Sequence, residues 1–146
     1  MIVLDTNVIS ELWKASPAAQ VLAWMDAQAI ETLHLSAITV AELRFGLRVM
    51  PDSKRRTIFL ERLEHELLPL FAGRIVPFDL DASRAYAELM VRARKAGKTI
   101  GLADGYIAAS AMAHGLIVAT RDVAPFETAG LAVINPWNEP HSPGQP

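Results

Sequence analysis

MIVLDTN, residues Met1–Asn7, opens the chain. Ile2, Val3 and Leu4 form a short apolar run that ends on Asp5. A run of this length without polar alternation reads as a strand buried on both faces, the kind found in parallel sheets covered by helices. In open sheets of that kind, ligands bind beyond the carboxyl ends of the strands. Asp5 is therefore a candidate site residue from the first line of sequence. What remains is to find which other acids reach the same edge.

Further short apolar runs stand at Leu33–Leu35, Arg74–Phe78, Ile117–Ala119 and Leu131–Ile134. Helical patterns fill the gaps. Val8–Lys14 follows a Thr6-Asn7 cap. A second pattern begins at Pro17, a residue suited to a first helical turn, and runs to about Gln28. Thr39–Met50 and Ser53–Leu68 carry apolar residues at helical spacing. Asp81 opens a helix through Ala96 that Gly97 stops, and alanine-rich Leu102–Ala113 is stopped by Gly115. Strands alternating with helices predict an α/β domain with a parallel sheet. Residues 1–137 read as that domain. Residues 138–146, rich in proline, read as an extended or disordered tail.

With 146 residues, one domain has enough chain to bury a core. The absence of cysteine excludes disulfides, thiolate metal sites and a cysteine nucleophile, and it suits a reducing cytoplasm. Glu11 and Lys14 interrupt the first apolar stretch, so no signal peptide is expected. Ile100–Ala119 contains Asp104, His114 and three glycines, and reads as helix then strand rather than a membrane span. A net charge of −2 provides no global basic field for nucleic acid, but leaves room for a local basic patch.

Three more acids are placed at Asp5's edge. Glu42 lies in the first turns of the helix after the second strand. Asp104 lies near the start of a helix that runs back antiparallel to the strands, and Asp122 follows the end of Ile117–Ala119. Four carboxylates facing one rim repel one another unless protonated or neutralised. Mg²⁺ or Mn²⁺ prefers such oxygen ligands and can activate water against a phosphate. Each acid also has a structural reading. Asp5 is a natural helix cap, and Glu42 stands at capping-box spacing from Thr39. Asp104 suits the macrodipole of a first turn, and Asp122 suits a turn ahead of Pro125.

The stretches LDTNVISEL (Leu4–Leu12), SAITVAELRFGL (Ser36–Leu47), GLADGYIAASAMAHGLIVATRD (Gly101–Asp122) and FETAGLAVINPW (Phe126–Trp137) resemble the PIN-domain family. The likeness is to its VapC-type ribonuclease toxins, and the wording is nearest the FitB-like subgroup. The resemblance implies a three-layer domain with a five-stranded parallel sheet, an acidic pocket holding Mg²⁺ or Mn²⁺, and hydrolysis of RNA. The family's acids fall on Asp5, Glu42, Asp104 and Asp122, its pocket asparagine on Asn7 and its hydroxyl after the fourth strand on Thr120. One departure stands out: many relatives read T-x-N-x-x-D-F, whereas here Pro125 takes the place of the later acid. The resemblance further implies a homodimer and a neutralising antitoxin. That antitoxin would carry a ribbon-helix-helix or similar domain, through which the pair would bind operator DNA.

Arg44 with Arg48, Arg92 with Lys95 and Lys98, and the run Lys54-Arg55-Arg56 are candidate phosphate contacts, each also readable as a solvated helix face. Trp13, Trp24 and Phe45 read as core or dimer interface, and Phe45, Leu47 and Met50 together look too apolar for one buried stripe. The four histidines form no metal-ligand spacing. A phosphoacceptor domain of the response-regulator type would need paired acids after the first strand and a lysine after the last, where this chain has one Asp and Pro136. An aspartyl phosphatase would want Asp-x-Asp, which Asp5-Thr6-Asn7 does not supply. A different reading keeps the acidic pocket without turnover. The chain would then be a binding or regulatory protein that acts mainly within a DNA-binding toxin–antitoxin complex.

Overall fold

The structure is a computed structural model that describes residues 1–139. Most of the expected tail, from residue 140 on, lies outside the described residues. Five parallel strands form one sheet in the order β3-β2-β1-β4-β5. They are β1 Ile2–Leu4, β2 Leu33–Ser36, β3 Ile75–Val76, β4 Ile117–Ala119 and β5 Val133–Ile134. The chain winds from β1 outward through β2 to β3, then returns to place β4 on the other side of β1. The order therefore reverses beside β1, and in such sheets the crevice at the reversal is where ligands bind.

The helices are α1 Thr6–Leu12, α2 Ala19–Asp26, α3 Ala37–Arg48, α4 Lys54–Arg62, α5 Leu68–Leu70, α6 Leu80–Lys95, α7 Leu102–Ala113 and α8 Val123–Thr128. Several bounds differ from the sequence expectation for local reasons. Helix α1 starts at Thr6 because Asp5 itself is the cap, its carboxylate accepting the Thr6 N–H at 2.8 Å. Ser36, not Thr39, caps α3, accepting the Thr39 N–H at 2.9 Å. Asp79, ahead of Asp81, caps α6 through the Ala82 N–H. Pro17 falls outside α2, whose cap position is Ala18. Ser53–Leu68 is not one α-helix: a π-helical turn, Leu63–Leu67, separates α4 from α5. Pro69 explains the break, since it has no N–H to give and its ring would collide with the carbonyl four residues back. Strands β3 and β5 have two residues each, fewer than expected, and Pro77 cannot extend the ladder of β3. Helix α8 was not anticipated. Pro125 lies in its first turn, where a missing N–H leaves nothing unsatisfied.

Alternation along β1 divides the core. Leu4, with Leu33 and Leu35, packs against Val8, Ile9, Val21, Trp24, Leu43, Leu63 and Phe71. Val3, with Val118, packs against Leu89, Ile107, Ala108 and Phe126 on the other face. Gly105 lets α6 and α7 come together: a Cβ there would stand 3.2 Å from the Tyr86 ring and 3.3 Å from the Met90 sulfur. That contact fixes the first turn of α7, and with it Asp104. On α3, Leu47 is buried and Met50 packs partly against the core. Phe45 instead points outward, 69% exposed, beside Val49 one turn on.

Candidate active site

Asp5 leaves the end of β1 at the centre of the sheet, its backbone N–H bonded to the carbonyl of Ala119 on β4 at 2.9 Å. The side chain is 5% exposed, and donors hold both of its oxygens. Oδ1 takes the Thr6 N–H. Oδ2 takes the Thr120 hydroxyl at 2.8 Å and, more weakly, the Asn7 amide at 3.4 Å. Thr120, fully buried, is in turn fixed by the Asn7 amide and the Asp122 N–H, both at 3.1 Å. The Asn7 carbonyl oxygen accepts the Arg121 N–H at 3.2 Å, tying the loop after β4 to α1. Burial pushes the Asp5 carboxyl up, and Glu42 and Asp122 push the same way. The Thr120 and Thr6 bonds oppose them.

Glu42, on α3, is oriented by a line of hydroxyls. Thr6 Oγ1 lies 2.7 Å from Glu42 Oε1 and 3.3 Å from Thr39 Oγ1, which lies 3.2 Å from Ser36 Oγ. A hydroxyl has one proton, so Thr6 gives it to the carboxylate at the shorter contact and Thr39 supplies the other bond. Glu42 is therefore held from α1 rather than by a capping box. Asp104, in the first turn of α7, accepts no hydrogen bond among the described residues, and α7 has no side-chain cap. Its carboxyl is raised from 3.8 to about 6, first by burial, then by the charges of Asp5, Asp122 and Glu42. The macrodipole, which would favour the anion, is outweighed.

Asp5, Glu42 and Asp104 line one cavity of about 400 Å³, together with Thr6, Asn7, Ser10, Glu11, Lys14, Arg121 and Trp137. Asp122 does not line it. It stands exposed at the cap position of α8, making no capping bond, close enough that its charge raises Asp5 and Asp104. Among the described residues, no group of three or more Asp, Glu, His or Cys side chains is drawn into a ready metal-ligand cluster. Two of the acids spend oxygens on internal donors, and uncompensated carboxylates keep apart.

Sequence reasoning missed Glu11. It is one helical turn beyond Asn7 on α1, and that spacing was the available signal. Glu11 is 5% exposed, ion-paired to Lys14 at 2.9 Å and hydrogen-bonded by the Trp137 indole N–H at 3.3 Å. The Lys14 contact outweighs burial and holds its carboxyl low. Two cations named from sequence are committed elsewhere. Arg44 makes a two-pronged pair with Glu64 at 2.8 and 3.0 Å, and Arg92 donates to the Ala129 carbonyl.

The PIN domain family profile matches residues 2–131. The VapC ribonuclease Y4jK of Sinorhizobium fredii is 73% identical over 137 residues, covering 94% of this chain and 98% of the relative. Toxin FitB of Neisseria gonorrhoeae is 51% identical over 139 residues, covering 95% and 100%. A solved structure of FitAB bound to an IR36 DNA fragment superposes with a TM-score of 0.93 at 49% identity, covering 97% of this chain and 99% of that one.

Proposed function

Because the chain belongs to the PIN-domain family, we propose that it is a metal-dependent ribonuclease toxin that hydrolyses RNA phosphodiester bonds and is neutralised by a cognate antitoxin. The observation that carries this reading is the meeting of Asp5, Glu42 and Asp104, from three separate elements, in one cavity at the reversal point of the sheet. The names of the relatives, a VapC ribonuclease and a toxin, support it.

The donor set suits Mg²⁺ or Mn²⁺, being carboxylate and hydroxyl oxygen without sulfur or imidazole. Asp5, Glu42 and Asp104 would hold the cation, with Asp122 at the rim. An open arrangement fits Mg²⁺, which keeps several waters and takes few protein ligands. When bound, the ion would supply Lewis acidity toward a phosphate and a nearby water. The protein's own part is positioning. Thr120 and Asn7 fix Asp5 so that it need not reorganise during reaction, and Thr6 aims Glu42. Asp104, with no donor among the described residues, is the acid most in need of a cation.

The FitAB structure on DNA supports a partner with a DNA-binding domain, of ribbon-helix-helix or similar type, through which the pair would reach operator DNA. It also favours a second reading, in which the chain turns over weakly and acts mainly within that complex. The deciding experiment incubates purified protein with a panel of single-stranded RNAs in Mg²⁺, Mn²⁺ or EDTA, beside Asp5→Asn. Metal-dependent cleavage abolished by Asp5→Asn establishes the nuclease. Cleavage absent, or unchanged in Asp5→Asn, favours the second reading.

A further inference from the structure

Four carboxylates line the cavity, and a nucleic-acid strand approaching them meets like charge. Two cations also line it, Lys14 and Arg121. Lys14 is engaged by Glu11 at 2.9 Å. Arg121 takes part in no ion pair among the described residues. Glu11, the acid that attracts it, is already bonded by Lys14 and by the Trp137 indole. Arg121 is nevertheless held in place. Its N–H is bonded to Asn7, and its guanidinium rests over the Trp137 ring, 5.3 Å from the centroid. Trp137 is fixed at both ends, its backbone N–H on Asn135 at 3.0 Å and its indole N–H on Glu11. The side chain remains exposed.

An exposed guanidinium held against an indole and, among the described residues, without an anion, beside a pocket that must accept a polyanion, has a chemical use. We propose that Arg121, braced on Trp137, binds a backbone phosphate of the RNA strand next to the one over the carboxylates. The inference rests on the nuclease reading above. A guanidinium suits the task better than an ammonium: it stacks on indole through its face while its N–H edge grips phosphate oxygens. Glu11 and Lys14 act as positioning residues, keeping Trp137 in place and leaving Arg121 unpaired.

The test titrates the parent, Arg121→Gln and Arg121→Lys against a fluorescein-labelled single-stranded oligoribonucleotide in EDTA, reading anisotropy. Salt is varied from roughly 50 to 200 mM. Arg121→Gln should flatten the slope of log affinity against log salt by about 0.7, one phosphate contact on a single strand. Its affinity should fall roughly tenfold, as for a hydrogen bond to a charged group. Arg121→Lys should keep the slope and lose part of the affinity. In Mn²⁺, Arg121→Gln should raise KM, leave kcat within about twofold and leave the pH profile unmoved. An unchanged salt slope overturns the proposal, as does a lower kcat at constant KM or a loss confined to antitoxin binding. If Arg121→Gln melts early, Arg121→Lys decides, and a loss of slope in a folded lysine variant also overturns it. A parent that neither binds RNA in EDTA nor cleaves it in Mn²⁺ removes both this inference and the nuclease reading; where the parent cleaves without measurable binding in EDTA, an unchanged KM in Arg121→Gln overturns this inference alone. A parent that cleaves RNA while Arg121→Gln keeps its slope removes this one alone.

Discussion

Replacing Asp104 with Asn should stabilise the metal-free protein at neutral pH. The Asp104 carboxyl is raised from 3.8 to about 6, so the folded state binds its proton more tightly than the unfolded chain does. Its charge therefore costs stability above about pH 6, and that cost disappears as pH falls toward the unfolded value. At full strength a shift of this size corresponds to about 3 kcal/mol. The group is partly exposed, and solvent screening reduces the figure to about 1–2 kcal/mol. For a domain of this size that is a gain of roughly 3–8 °C in Tm.

Thermal melts in EDTA at about pH 7.5 and about pH 4.5 read this out. Asp104→Asn should melt above the parent at the higher pH and keep only about a third of that advantage at the lower, where the folded parent's Asp104 already carries its proton but the unfolded chain's is still largely ionised. A fall in Tm at the higher pH would show that the carboxylate caps α7 after all. An equal gain at both pH values would show that the benefit is not electrostatic. Either result refutes the account of the pocket.

Three other outcomes are expected. Thr120→Val should cost about 1–3 kcal/mol in urea unfolding, because it strips a donor from buried Asp5 and an acceptor from the Asp122 N–H. By raising the Asp5 carboxyl further, it should also move the acid limb of the pH–rate profile to higher pH. Mg²⁺ or Mn²⁺ at a hundredfold excess over Kd should add about 2.7 kcal/mol to the parent by mass action and less to Asp5→Asn, measured by melts with and without metal. The outward pair Phe45 and Val49 should serve a homodimer interface, so light scattering should give twice the chain mass for the parent and the single mass for Phe45→Glu. A monomeric parent would leave that face without this explanation.

The α/β class and all five strands were legible because parallel strands buried on both faces are uninterrupted apolar runs bounded by turn residues. The order of the sheet was not, since nothing in Ile117–Ala119 says that it pairs with β1 rather than with β3. Helix starts shifted wherever two capping residues competed, Ser36 with Thr39 and Asp79 with Asp81, because only backbone geometry selects between them. The placement of Asp5, Glu42 and Asp104 at one edge followed from strand ends and helix starts. The more exposed place of Asp122 depends on how far the loop after Thr120 swings out. Glu11 was missed for a different reason. At the end of α1 it reads as surface charge, and only Trp137, distant in sequence, makes it a buried member of the cavity wall.

The acids of the pocket are not equivalent, and this bears on how a partner would silence it. Asp5 and Glu42 are met by donors from the protein itself, whereas Asp104 has none among the described residues. Positive charge brought to the cavity therefore gains most beside Asp104. A metal ion brings it, and so would an Arg or Lys side chain from an antitoxin, with the guanidinium fork suited to a carboxylate. Metal and antitoxin would then compete for one deficit of charge. Asp104→Asn removes that deficit and should weaken antitoxin binding at about pH 7.5 by the same 1–2 kcal/mol, a factor of roughly 5–30 in Kd. Near pH 4.5 the parent carboxyl is protonated, and the two proteins should bind alike. Saturating Mn²⁺ should raise the antitoxin Kd of the parent and barely affect the variant. Titration calorimetry with the cognate antitoxin measures all three. If Asp104→Asn binds as tightly as the parent at neutral pH and Mn²⁺ leaves both affinities unchanged, the antitoxin works by covering the cavity rather than by supplying the charge that Asp104 lacks.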